Sequence, residues 1–209
     1  MRLVFASNNA HKLDEVRAIM PVGVEVLSLR DIGFEAEIDE TGTTLAENSM
    51  IKAQAVAAFI NERIDGVFAD DTGLEIDALD GQPGVYTARW YKRSEGVKEL
   101  TNEQEIFAAN RAKTLRELAN KTDRGAQFKT VITLISQKPK ASGQKIIQVE
   151  GIVRGRIATE EYGEGGFGYD PIFIPEGYDK TFGELPAETK NSISHRARAL
   201  AALVKVLNS

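Results

Sequence analysis

The stretch RLVFASNNAHK, residues 2–12, sets the terms of the fold. Residues 2–6 form a short apolar run suited to a buried strand, and Ser7-Asn8-Asn9-Ala10 breaks it. From Lys12 onward, Leu13, Val16, Ile19 and Met20 recur at helical spacing, and Pro21 closes the run. The unit is therefore strand, loop, helix. Its loop lies at a helix N-terminus, where N–H groups without intrahelical partners favour an anion.

Working outward, Val24-Glu25-Val26-Leu27 reads as a second strand and residues 35–43 as a polar loop. Thr44-Leu45-Ala46-Glu47 matches a capping box, which predicts an alanine-rich helix to about residue 60. Gly66-Val67-Phe68-Ala69 reads as a strand running into a turn, Asp70-Asp71-Thr72-Gly73, with Leu74-Glu75-Ile76 as strand beyond it. Gly81-Gln82-Pro83-Gly84 is a further turn. Within the charged residues 91–126, a helix opens at Thr101-Asn102-Glu103-Gln104 and runs to about residue 119. Residues 128–136 and 145–153 are β-rich and flank a turn at 139–143, as an antiparallel hairpin would. A glycine-rich loop at 163–171 precedes a strand at Ile172-Phe173-Ile174. The last helix begins near Ser192 or Ser194 and carries Leu200, Val204 and Leu207 on one face. Strands alternating with helices, plus hairpins, predict an α/β fold with a mixed sheet, as one domain over residues 1–209.

Composition removes several classes of function. There is no cysteine, which excludes disulfides, thiolate metal sites and a cysteine nucleophile. Two histidines cannot build a three-histidine metal site. No G-x-x-x-x-G-K-[ST], HExxH or G-x-S-x-G occurs. A net charge of −5 and a pI near 5.3 argue against a general nucleic-acid binder. No run approaches the roughly 20 apolar residues of a membrane helix, so a soluble cytoplasmic protein without membrane partner is expected.

Five segments can carry chemistry, and each has a plainer alternative. Ser7, Asn8, Asn9, Ala10, His11 and Lys12 can cradle a phosphate, or form an ordinary first βα loop. Lys52 shares a helix face with Asn48 among alanines, pointing into a cleft or to solvent. Asp70 and Asp71 can serve a ligand at a strand end, with Glu40 as partner carboxylate, or simply cap a turn. Neighbours on a strand face opposite ways, so one of the two aspartates reaches a given ligand atom. Gly163 to Pro171 surrounds Phe167 and Tyr169 with glycines, and an aromatic ring there can stack on a base for ~1–3 kcal/mol. Lys190, His195 and Arg196 crowd a helix N-terminus, where cations oppose the helix dipole unless an anion joins them.

In combination these segments resemble the inosine triphosphate pyrophosphatase family. The resemblance runs through Ser-Asn-Asn-Ala-His-Lys at 7–12, Glu-Thr-Gly at 40–42, Leu-Ala-Glu-Asn at 45–48, Lys52-Ala53 and Ala-Asp-Asp-Thr-Gly-Leu at 69–74. It continues through Pro-Gly-Val-Tyr-Thr-Ala-Arg at 83–89, Gly-Gly-Phe-Gly-Tyr-Asp-Pro at 165–171 and Ser-His-Arg at 194–196. Residues 90–125 match poorly, and Thr72 stands where many relatives carry serine. The resemblance implies an elongated two-lobed α/β fold with its active site in the cleft between lobes, and homodimerisation. It implies water attacking the α-phosphorus of ITP, dITP or XTP to release pyrophosphate, which keeps damaged purines out of DNA and RNA. Asp71 aligns with the general base, and Glu40 and Asp71 with magnesium ligands. Substrate contacts align with Ser7, Asn8, Asn9, Ala10, His11, Lys12, Thr72, Phe167, Gly168, Tyr169, Asp170, Lys190, His195 and Arg196, to which Lys52 adds a charge facing the phosphates.

Electrostatics agrees with that implication. A carboxylate ~4 Å from a phosphate charge costs ~4 kcal/mol at an effective dielectric near 20, so acids at 40, 70 and 71 require a bridging cation. Magnesium takes one or two carboxylates together with phosphate oxygens. Hypoxanthine and xanthine carry an acceptor at purine C6, where adenine carries a donor. Donors such as Arg196, or backbone N–H groups near it, would distinguish them at ~1–3 kcal/mol per mismatched group. Three other readings stand beside this one: a related Maf-like pyrophosphatase, a non-catalytic nucleotide sensor, and an RNA-binding protein using the glycine–aromatic loop.

Overall fold

The computed structural model describes residues 1–60, 63–136 and 145–207. In chain order the strands are β1 (Arg2–Phe5), β2 (Glu25–Leu27), β3 (Gly66–Ile76), β4 (Pro83–Gly84), β5 (Gly125–Ser136), β6 (Lys145–Ile157) and β7 (Phe173–Pro175). The α-helices are α1 (Ala10–Ile19), α2 (Leu45–Ala57), α3 (Glu103–Glu117), α4 (Ala187–Ile193) and α5 (His195–Leu207). The sheet is mixed, in the order β2-β1-β3-β5-β6-β7, with β4 paired to β3. The turn expected at 139–143 lies outside the described residues. No described helix is long and apolar enough to cross a membrane.

The chain divides into two compact units, Met1–Asp71 with Thr130–Gly151 and His195–Ser209, and Thr72–Lys129 with Ile152–Ser194. In the first unit β1 runs parallel to β2 and β3, in register Leu3↔Val26 and Leu3↔Gly66. The period of 2 sorts the side chains. Leu3, Phe5 and Phe68 join Val16 of α1 and Leu200 and Leu203 of α5 in one core. Val4, Ala6, Val67 and Ala69 join Ala53 and Val56 of α2 in another. The apolar stripe of α5 thus passes through Leu203, while Val204 is only half-buried.

The expected capping box is present. Thr44 accepts from the Glu47 amide, and Glu47 accepts from the Thr44 amide in return, starting α2 where the motif placed it. In the second unit β3–β4 and β6–β7 are antiparallel. Its core gathers Leu74, Ile76, Leu118, Phe128, Tyr169, Phe173 and Phe182.

The structure corrects one local expectation and adds detail to two others. Asp70-Asp71-Thr72-Gly73 is no turn but the middle of one eleven-residue strand, β3. The helix expected from Thr101-Asn102 is present as α3, with a 3-10 segment at Thr87–Arg93 before it. The last helix begins directly after Ser194, as expected, but a short helix not anticipated from the sequence, α4, precedes it and ends where Ser194 turns extended at φ −64, ψ 160.

Candidate active site

The loop after β1 spends part of its polarity on itself. Asn9 caps α1 by accepting from the Lys12 amide at 3.0 Å, and Ser7 Oγ accepts from the Asn9 amide at 3.3 Å. Asn8, Ala10 and His11 are exposed at the loop surface. Lys12 turns inward, and its Nζ donates to Asp70 Oδ1 at 3.0 Å.

Strand alternation then separates the two aspartates. Asp70 lies on the face shared by α1 and α5 and is bonded by Lys12 and by Arg196 Nε, the latter at 3.3 Å. Asp71 lies on the α2 face, where Lys52 Nζ reaches Oδ1 at 3.2 Å and Asn48 Nδ2 reaches Oδ2 at 3.2 Å. Lys52 Nζ also donates to Glu40 Oε1 at 3.1 Å. One buried ammonium therefore holds Glu40 and Asp71 together. The solvated reading of Lys52 is overturned: it is 8% exposed.

Asn48 is the member that sequence reading left out. Its carbonyl accepts from the Gly42 amide at 2.8 Å while its amide donates to Asp71. It thereby ties the Glu40 loop to β3. A Cβ on Gly42 would lie 2.6 Å from that carbonyl oxygen, so only glycine fits there. The available signal was the spacing of Asn48 and Lys52, one helical turn apart.

These surroundings drive the carboxyls in opposite directions. Burial would raise Asp70, but Lys12, Arg196 and Lys52 outweigh it and hold the carboxyl well below the usual range. For Asp71 burial prevails over Lys52 and Lys12, and the carboxyl is raised. Burial lowers Lys12 more than Asp70 raises it. Lys52 is held above its ordinary value, its burial outweighed by Asp71, Asp70 and Glu40.

Arg196 and His195 open α5. Arg196 is 2% exposed, and its guanidinium bonds Glu15 as well as Asp70. Its donors are engaged with these two carboxylates. His195 Nδ1 lies 2.6 Å from Thr130 Oγ1. Gly151 admits this turn of helix, since a Cβ there would come within 2.1 Å of the His195 carbonyl oxygen.

In the second unit Thr72 is half-buried on β3, and the glycine-rich loop folds around Asp170. Asp170 Oδ2 accepts from the Phe167 amide and from Lys190 Nζ, each at 2.7 Å. Gly166 sits at φ +72, and a Cβ on it would strike that same oxygen at 2.1 Å. The half-buried Phe167 has Lys190 Nζ 4.8 Å from its ring centre, while the Gly168 carbonyl accepts from Arg111. Tyr169 belongs to the core, with its hydroxyl donating to the Thr87 carbonyl at 2.9 Å. Lys190 was expected at the N-terminus of the last helix. It lies instead in the last turn of α4, where a cation suits the dipole.

Among the described residues no three Asp, Glu or His side chains gather as a metal-binding group. The donors that converge are the pair Glu40 and Asp71. The site can thus receive a polyanion at Lys12 and Lys52 and a hard cation at the paired carboxylates.

Comparison with known proteins accords with this geometry. The Ham1 family matches residues 3–206. The chain is 44% identical to the dITP/XTP pyrophosphatase of Flavobacterium johnsoniae over 209 residues, covering 100% of this chain and 99% of that protein. It is 44% identical to the dITP/XTP pyrophosphatase of Bacillus subtilis, covering 99% and 96%. The solved structure of the Staphylococcus aureus Ham1 protein superposes with a TM-score of 0.80 at 37% identity, covering 100% of this chain and 98% of that one.

Proposed function

The chain belongs to the Ham1 family, and from that premise we propose that it hydrolyses the non-standard purine nucleoside triphosphates ITP, dITP and XTP to the monophosphate and pyrophosphate. The observation that carries this reading is the buried Lys52 bonded to both Glu40 and Asp71, beside the Lys12–Asp70 pair. Water attacks the α-phosphorus. Its oxygen forms the new P–O bond, the α–β bridging bond breaks, and pyrophosphate leaves. Asp71 accepts the proton released by the water, a task suited to a carboxyl whose proton affinity burial raises. Lys12 and Lys52 offset charge on the phosphates as it shifts toward the leaving group.

The donor set fits magnesium. Glu40 and Asp71 supply hard oxygens already directed at one cation, and two carboxylates plus phosphate oxygens make an ordinary magnesium shell. Bound there, the ion would draw charge from the phosphate oxygens and orient the chain for attack. Phe167 offers the ring for base stacking, and Asp170 and Lys190 hold its loop. His11, Thr72 and His195 complete the substrate contacts. The same reading carries homodimerisation and a cytoplasmic setting.

Pyrophosphate release from ITP, dITP, XTP, ATP and GTP tests it, with magnesium and with excess EDTA. The first three should be turned over with magnesium and fall to background when it is chelated. Release of orthophosphate instead, or equal rates on ATP, would remove the proposal.

A further inference from the structure

Phe107 and Arg111 stand four residues apart on α3 and so share one face of the helix. Both address the glycine-rich loop. Arg111 Nη1 donates to the Gly168 carbonyl at 2.9 Å, and its Nε lies 2.9 Å from the Glu161 carboxylate just upstream of the loop. The half-buried Phe107 ring meets the Phe167 ring with centroids 6.3 Å apart and planes at 42°. That separation lies within the range of favourable aromatic pairs.

The support matters because of what flanks Phe167. Gly166 and Gly168 sit at φ +72 and φ +63, and glycine confers no stiffness of its own. A ring held between them takes its orientation from outside. Helix α3 can supply it. Its buried Asn110 accepts from the Tyr91 amide at 2.8 Å and donates to the Ala88 carbonyl at 3.1 Å, and Leu115 packs on the core. A side chain on such an element is better fixed than one on a loop.

We propose that Phe107, held on α3 with Arg111 beside it, is a positioning residue for purine recognition: it sets the plane of Phe167, the ring on which the base stacks. This rests on the functional reading above. Phe107 touches the reacting atoms nowhere in the scheme, so its effect belongs to binding of the base rather than to cleavage.

The test is a KM-against-kcat split, with inorganic tripolyphosphate as a competitor that has no base. Phe107→Ala should raise KM for ITP and XTP by about twofold to tenfold, the equivalent of one aromatic pair. The kcat and the inhibition constant of tripolyphosphate should stay at their unsubstituted values. Phe107→Leu, which keeps apolar bulk and secures the fold, should show the same rise, and Phe107→Tyr should reverse it. An unchanged KM in the folded Ala and Leu variants overturns the inference. So does a parallel loss of tripolyphosphate inhibition, which would mark general damage. An unsubstituted protein inert toward every purine triphosphate sinks the functional reading as well.

Discussion

Asp71→Asn is expected to lower kcat by about 10²–10⁴-fold, the usual worth of a positioned general base, while leaving the fold as stable as before. The two halves of that expectation have one origin. Asp71 is buried, and burial raises its carboxyl more than Lys52 and Lys12 lower it. An acid raised on folding works against the native state once it ionises, so its charge contributes nothing to stability at neutral pH. The neutral amide keeps the shape and can still accept from Asn48. It cannot take a proton from water. Asp70→Asn should behave in the mirror sense. Asp70 is lowered on folding, so its ionised form stabilises the native state above its unfolded pKa, and that contribution is lost as pH falls through the folded value. Removing its charge should lower the urea midpoint, because Lys12 and Arg196 lose their shared partner. Paired kcat and urea titrations on the two variants check this. Substantial turnover in Asp71→Asn would place the base elsewhere.

That adjacent aspartates have opposite characters follows from strand alternation, which was legible, although the strand itself was not. Asp70-Asp71-Thr72-Gly73 has turn composition, and β-propensity yields to context. Here β3 lies between β1 and β5 in the sheet order, with β1 paired to it at Gly66–Phe68 and β4 at Leu74–Glu75, so strand is set on both sides of the polar stretch. The Thr44–Glu47 cap was readable because every contact in it spans at most four residues. Lys52 was ambiguous because its partners are twelve and nineteen residues away, beyond any helical period. The start of α5 was legible near Ser194, whereas α4 is only seven residues long and too polar to show an apolar period of its own. Phe107 had even less signal, since its ring partner lies in a loop sixty residues on. The charged side chains of the candidate site were thus visible early, and the contacts that hold them were not.

Arg196 shows the same gap at its widest, and its replacement carries the other large effect. From sequence it sits in a cationic first turn and suggests a donor aimed at a purine oxygen. In the fold it is among the largest fully buried side chains, joined to Glu15 on α1 and Asp70 on β3. Glu15 precedes it by 181 residues, so no local pattern announces the pair. Arg196→Ala should therefore destabilise the protein by up to about 3–5 kcal/mol, the scale for breaking a buried ion pair. Asp70 retains Lys12, which places the damage first at Glu15. Adding Glu15→Gln to Arg196→Ala should recover part of the loss, because the second change removes a carboxylate charge that the first deprived of its guanidinium. Urea unfolding of the two single variants and the double variant measures the coupling. Unfolding curves that coincide with the parent, together with a collapse of the ITP-to-ATP ratio of kcat/KM, would instead make Arg196 a reader of the base rather than the post that holds Asp70 in place.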